Sequence, residues 1–106
     1  MKYCCVLNTV PSVRKARALA GLLISKRLVA CVQILSGLES HYRWRGKRET
    51  SKEVLLLIKT RSSNYKKLEK ILLENHPYEI PEIICLPITK GSQSYLDWIS
   101  GEVTAL

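Results

Sequence analysis

Leu38-Glu39-Ser40-His41-Tyr42-Arg43-Trp44-Arg45-Gly46-Lys47 is the stretch that decides the fold of this chain. Leu38, Ser40, Tyr42 and Trp44 alternate strictly with Glu39, His41 and Arg43, the period of a strand with two unlike faces. Arg45-Gly46 reads as a two-residue hairpin loop, with Gly supplying the positive φ that a tight turn needs. Folding there sets Trp44 opposite Lys47, Tyr42 opposite Glu49, and Glu39 opposite Lys52, the last a pair of unlike charges. The return strand runs from Lys47 to about Arg61. The outgoing strand reaches back to Leu28, with a bulge expected at Ser36-Gly37. Both arms are long against the ~5–6 residues of an ordinary strand. Such a hairpin must project from a small domain, and Tyr42 and Trp44 on its outer half need cover from a partner chain.

Upstream, Lys2–Thr9 is a strand whose Cys4-Cys5-Val6-Leu7 is apolar on both faces. Ser12 is placed to cap a helix carrying Val13, Ala16, Ala20, Leu23 and Ile24 on one stripe, ending near Arg27. Leu28–Leu35 is the second strand. Downstream, Ser62 or Ser63 caps a second helix with Tyr65, Leu68, Ile71 and Leu72 inward, stopped at Asn75-His76-Pro77. A rigid loop, Pro77–Pro81, leads to a strand over Glu82–Ile88, whose Pro87 marks it as an edge. Gly91-Ser92 opens a short last helix with Tyr95, Leu96, Trp98 and Ile99 facing inward.

The order strand–helix–strand–strand–helix–strand plus a C-terminal helix predicts an α+β, ferredoxin-like β-α-β-β-α-β sandwich with a long central hairpin, one domain over residues 1–106. Strands one and three are then central, with both helices on one face. Val54-Leu55-Leu56-Leu57-Ile58 is apolar on both faces, as is the first strand. One helical layer covers one face only, so the other requires a further subunit and the chain is expected to be an obligate oligomer.

Composition narrows the function. In 106 residues, 46% are apolar, which excludes a disordered chain. No apolar run approaches the ~20 residues of a membrane-crossing helix. No secretory leader is read, since only Tyr3–Leu7 separates Lys2 from Asn8, and a cytoplasmic protein is expected. Cys4, Cys5, Cys31 and Cys85 lie in apolar stretches without zinc-type spacing and are expected to be buried free thiols. The net charge of +8 draws attention to Arg43-Trp44-Arg45-Gly46-Lys47-Arg48, a basic tip with an aromatic among the cations. The central strands, however, offer no aromatic platform beyond Tyr3. RNA binding through the basic hairpin is therefore the minor alternative, and nucleic acid is not an expected partner. There is no Ser, His and Asp constellation, glycine-rich phosphate loop or H-E-x-x-H, so no enzyme is expected. His76 is read either as a metal ligand or as a helix-end cap. Tyr78 and Glu79 in the proline loop, with Lys59 and Thr60 at the end of a central strand, are candidates to line a ligand cleft between subunits. Subunit packing is the competing account of those four.

Leu28-Val29-Ala30-Cys31-Val32-Gln33-Ile34, Gly37–Trp44, Glu53–Thr60, His76–Ile84 and Tyr95–Ile99 together resemble the CutA family of divalent-cation tolerance proteins, over essentially the whole chain. The resemblance implies a homotrimer with interlocking hairpins, an architecture similar to the PII signalling proteins, and a part in divalent metal-ion (copper) tolerance. It makes divalent copper the candidate cofactor. The ligand positions proposed for the family fall here on Asn8, Asn75 and His76, leaving His76 as the one imidazole. Where the family hairpin often reads Trp-Glu-Gly-Lys, this chain has Trp44-Arg45-Gly46-Lys47. The resulting expectation is a trimeric, CutA-like protein that binds a metal ion or small ligand at subunit clefts. The alternative is a non-catalytic structural or signalling trimer that organises protein partners.

Overall fold

The computed structural model describes residues 2–104. Strand β1 (Tyr3–Val10) leads to helix α1 (Val13–Ser25), then strands β2 (Cys31–Trp44) and β3 (Lys47–Arg61). Helix α2 (Tyr65–Asn75), strand β4 (Ile83–Ile88) and helix α3 (Gln93–Glu102) complete the order. The four strands form one antiparallel sheet in the order β2-β3-β1-β4, with the first and third strands central as expected. The hairpin closes in the expected register, Trp44 with Lys47, Tyr42 with Glu49 and Glu39 with Lys52. Arg45 (φ 52°) and Gly46 (φ 78°) are both left-handed, the turn whose twist matches that of its strands. The bulge lies between Leu35 and Leu38, where Gly37 takes φ 86°.

Side chains sort by strand alternation. Val6, Val10, Leu56 and Ile58 meet Ala16, Leu19 and Leu23 of α1 and Leu68 and Leu72 of α2 in the main core. The opposite face is covered at one end, where Tyr3 and Ala30 pack with Ile99 and Val103 and the Tyr3 hydroxyl lies 2.7 Å from Ser100 Oγ, and at the other by the loop after α2, where Thr9 and Glu53 are buried. The rest of that face stays open, with Leu35 at 56% exposure and Ile84 and Leu86 also exposed. The hairpin stretches the molecule to 44 × 26 × 22 Å.

Several local expectations give way to tertiary contacts. Ser12 caps α1 as expected, its Oγ accepting from Lys15 N at 3.1 Å. The helix ends in a Schellman arrangement, with Arg27 N donating to Ile24 O and Leu28 N to Leu23 O. Arg27 holds the left-handed position (φ 56°) usually given to Gly. Its guanidinium donates to the carbonyls of Gly101 and Glu102, and its own carbonyl accepts from Thr104 N, tying α1 to the end of α3. The second strand accordingly begins at Cys31, not Leu28. Leu28 O is taken instead by Thr60 Oγ1 and Asn64 Nδ2. That use of Asn64 also explains why neither Ser62 nor Ser63 caps α2: Ser62–Asn64 form a 3-10 turn and the helix starts at Tyr65. In α3 the inward stripe is Leu96, Ile99 and Val103. Tyr95 and Trp98, expected inward, are 41% and 43% exposed and pack on each other at 5.6 Å. All four cysteines are free, but only Cys4 is fully buried; Cys85, expected in the core, is exposed on edge strand β4.

Leu68, fully buried between α2 and the sheet, sets the scale of the core. Leu68→Ala should cost about 2–5 kcal/mol in denaturant unfolding, whereas Lys67→Ala, on the exposed side, should stay within about 0.5 kcal/mol.

Candidate functional site

A cleft of about 660 Å³ opens between the outer half of the hairpin and the loop after α2. Its position follows from two sequence features. The hairpin outruns the helical layer, and Pro77 and Pro81 hold the chain extended beside it. Tyr42 and Trp44 from β2, Glu53 from β3 and Thr9 from β1 meet Tyr78, Glu79, Ile80 and Glu82 of the loop around this space.

The loop is fixed by its own imidazole. His76 Nε2 lies 2.8 Å from the Thr9 carbonyl oxygen, so it is the protonated nitrogen and donates. His76 Nδ1 accepts from Tyr78 N at 3.1 Å. Both ring nitrogens are thus engaged in the neutral tautomer, and the ring packs against Tyr78 at 4.9 Å between centroids. Burial pushes the His76 pKa below its usual value, partly opposed by the bond to Thr9. A metal ion at His76 has to displace one of these two bonds.

Tyr78 then reaches β3, its hydroxyl donating to Glu53 Oε2 at 2.8 Å. Burial and then the Glu53 carboxylate push the Tyr78 pKa well above the usual phenol range, so the proton stays on the phenol. At the rim, Arg45 Nη2 donates to Glu79 Oε2 at 2.8 Å, and the Arg45 guanidinium sits 5.3 Å from the Trp44 ring centroid. Both ion-pair partners are mostly exposed, so this contact adds little stability.

The other candidates stand elsewhere. Lys59 and Thr60 lie six and seven residues along β3 from Glu53, roughly 20 Å away at ~3.3 Å per residue. Thr60 is buried and donates to Leu28 O at 2.7 Å, and Lys59 Nζ donates to Gln33 Oε1. Within one chain these two do not join Tyr78 and Glu79. Asn8 donates through Nδ2 to Glu82 O at 2.8 Å, anchoring the far end of the loop, and its Oδ1 is buried without a partner. Asn75 Nδ2 bonds back to Ile71 O within its helix. His41, exposed on the hairpin, pairs with Glu39 at 2.7 Å. Sequence reading missed Glu53 as a site residue. Its signal was an acid placed directly before a run that is apolar on both faces in a central strand. Among the described residues no group of three or more His, Cys, Asp or Glu is gathered to hold a metal.

Residues 4–102 match the family model of the CutA1 divalent ion tolerance protein. The chain belongs to the CutA1 divalent ion tolerance family. It is 48% identical over 94 residues to a divalent-cation tolerance protein CutA of Thermus thermophilus, covering 89% of this chain and 91% of that protein. It is 47% identical to the chloroplastic CutA 1 of Oryza sativa, where the match covers 89% of this chain but 53% of the rice protein. The solved CutA1 structure from Thermus thermophilus superposes with a TM-score of 0.93 at 44% identity, over 96% of this chain and 99% of that one. The ferredoxin-like CutA fold and the place in a divalent-cation tolerance family are thus settled. No helix among the described residues is long and apolar enough to cross a membrane.

His76 makes the loop sensitive to pH. Its pKa is lowered on folding, so the unfolded chain binds the proton more readily. The stabilising contribution is present above the ordinary value of 6.5 and is lost as pH falls below it. Unfolding free energy measured across that range should fall toward acid, and His76→Gln should remove that part of the slope.

Proposed function

We propose that this CutA-family chain works as a homotrimer in the response to divalent metal ions, copper among them, without catalysing a reaction. The carrying observation is the open sheet face. Leu35, Ile84 and Leu86 are exposed there together with Tyr95 and Trp98 of α3, and a monomer does not leave such a surface to water. Interlocked hairpins bring Tyr42 and Trp44 against a neighbouring subunit and lay that subunit along the cleft. Trimer formation is also the route by which Lys59 of one chain approaches a cleft of another; Thr60, buried against the Leu28 carbonyl of its own chain, stays out of it. The free thiols fit a reducing compartment such as the cytoplasm.

The cleft bounded by Tyr78 and Glu79 is the ligand site of this reading. A metal ion that engages His76 does so through Nδ1, at the expense of the Tyr78 N–H bond, and binds weakly because no second imidazole or thiolate stands beside it. Equilibrium sedimentation should give a single trimeric species at low micromolar concentration; a stable monomer would refute the assembly. Calorimetric titration with Cu²⁺, Zn²⁺ and Ni²⁺ should show weak binding that His76→Ala abolishes. Binding untouched by that substitution would place the metal away from the loop.

A further inference from the structure

We propose that the outer surface of the α1–α2 layer binds the phosphate backbone of duplex nucleic acid without reading its sequence. The inference goes beyond the metal-response reading and involves neither the cleft nor the open sheet face. Both helices pack on the sheet face opposite to the one that trimer formation covers, so their outer sides point away from the neighbouring subunits of that reading.

The first observation is where positive charge is left unanswered. No Asp or Glu precedes Glu39 in the sequence. Arg14, Arg17, Lys26, Lys66, Lys67 and Lys70 are all exposed, on α1 and α2 or at the end of α1. None of them pairs with a carboxylate among the described residues, whereas Arg45 at the hairpin tip pairs with Glu79. The acids on these helices are Glu69 and Glu74, and Glu69 is half-buried and accepts from the Tyr65 hydroxyl.

The second observation is that the fold does not ask for these cations. Arg14 and Lys15 stand in the first turn of α1, and Lys66 and Lys67 in the first turn of α2. Neither first turn holds an acid, and neither last turn a base. The helix dipole favours the reverse arrangement. Cations kept against that preference, and without partners, owe nothing to helix stability. The fold brings them onto one surface. Asn64, at the start of α2, reaches the Leu28 carbonyl just past α1, and His76, at the end of α2, reaches Thr9 just before α1. The helices are therefore antiparallel, and their basic first turns mark opposite ends of the layer, with Arg17 and Lys70 between.

The third observation selects the occupant. Over the length of α1, about 20 Å, a duplex presents on the order of ten phosphate charges. Ile24 and Leu73, the exposed large apolar residues of these helices, lie near the C-terminal ends of antiparallel helices, at opposite ends of the layer. They do not form the continuous apolar face with which a helix enters a membrane, nor the apolar centre of a protein interface. Tyr65, the only aromatic residue of the two helices, is half-buried and bonded to Glu69, so no ring is offered to an unpaired base. Duplex phosphates need neither an apolar face nor a ring, and contacts to them alone carry no sequence information.

The test is fluorescence anisotropy of the full chain with labelled DNA and RNA duplexes of about 30 base pairs, between about 50 and about 200 mM salt. Micromolar binding is expected at the low end, weaker by at least about tenfold at the high end. Binding of one duplex and not the other identifies the nucleic acid. The triple variant Arg14→Gln, Lys66→Gln, Lys67→Gln should lose at least about tenfold in affinity and flatten the salt dependence. Its unfolding midpoint should stay unchanged or rise, since cations leave the positive ends of two dipoles. Arg43→Gln, Lys47→Gln, Arg48→Gln removes the same charge from the hairpin and should lose less than about threefold. Lysine acetylation of the unsubstituted protein, mapped by mass spectrometry, should show Lys66, Lys67 and Lys70 protected by the duplex and Lys47 and Lys52 not. No duplex binding at low salt, equal loss in the two triple variants, or protection at Lys47 in place of Lys66 would overturn the inference. So would phosphatidylserine vesicles or poly-L-glutamate bound as tightly as the duplexes.

Discussion

The constraint on which this structure depends is a sheet whose two central strands are apolar on both sides, in a chain with only one full layer of helices. Val6 and Ile58 face α1 and α2, while Leu7 and Leu57, one residue along, face the other way. At roughly 25 cal/mol per Å² of apolar surface, neither face is cheaply left wet. Helix α3 covers one end of the second face through Ile99 and Val103 and stops there. The proposed trimer would finish that core, and on that reading oligomer formation is a matter of folding and not only of regulation.

The hairpin follows from the same shortage. Strands β2 and β3 run past the helical layer, so their outer halves cannot belong to the chain's own core. What they gain is a wall. Tyr42, Trp44 and Glu53 stand on it, and the loop held by His76 and Asn8 forms the facing side. His76 therefore acts first as a strut: one nitrogen is committed to β1 and the other to the loop backbone. Its pH sensitivity is a property of that strut, since protonation removes the acceptor that Tyr78 N requires.

Most of the fold was legible because it rests on period and turn chemistry. Alternation through Leu38–Trp44 with Arg45-Gly46 fixed the register, and Gly37 marked the bulge. The parts that were not legible depend on contacts distant in sequence. Leu28 leaves the strand because Thr60 and Asn64 claim its carbonyl. Tyr95 and Trp98 turn outward because the helix offers its stripe one residue further on, at Leu96 and Ile99. Of the candidate site residues, Tyr78 and Glu79 of the proline loop stand at the described cleft, while Lys59 and Thr60, expected at a cleft between subunits, lie roughly 20 Å along β3 from Glu53 in their own chain. Glu53 was overlooked because its meaning comes from burial beside a phenol from another element, and adjacency of that kind leaves no period in a sequence.

Charge shows the same separation of global from local. A net charge of +8 invites an anionic partner, and the basic hairpin tip strengthens the invitation. Yet the one cleft described beside that tip has Glu53, Glu79 and Glu82 around it, out of only nine acids in the chain. Exposed cations in water are screened within ~10 Å, whereas a buried carboxylate keeps most of its field. Of these three acids only Glu53 is buried; Glu79 and Glu82 are themselves exposed. The hairpin's own cation, Arg45, pairs with Glu79 over the Trp44 ring at the exposed rim, so part of the chain's positive charge is answered within the chain, next to the tip where the net charge would suggest an anionic partner.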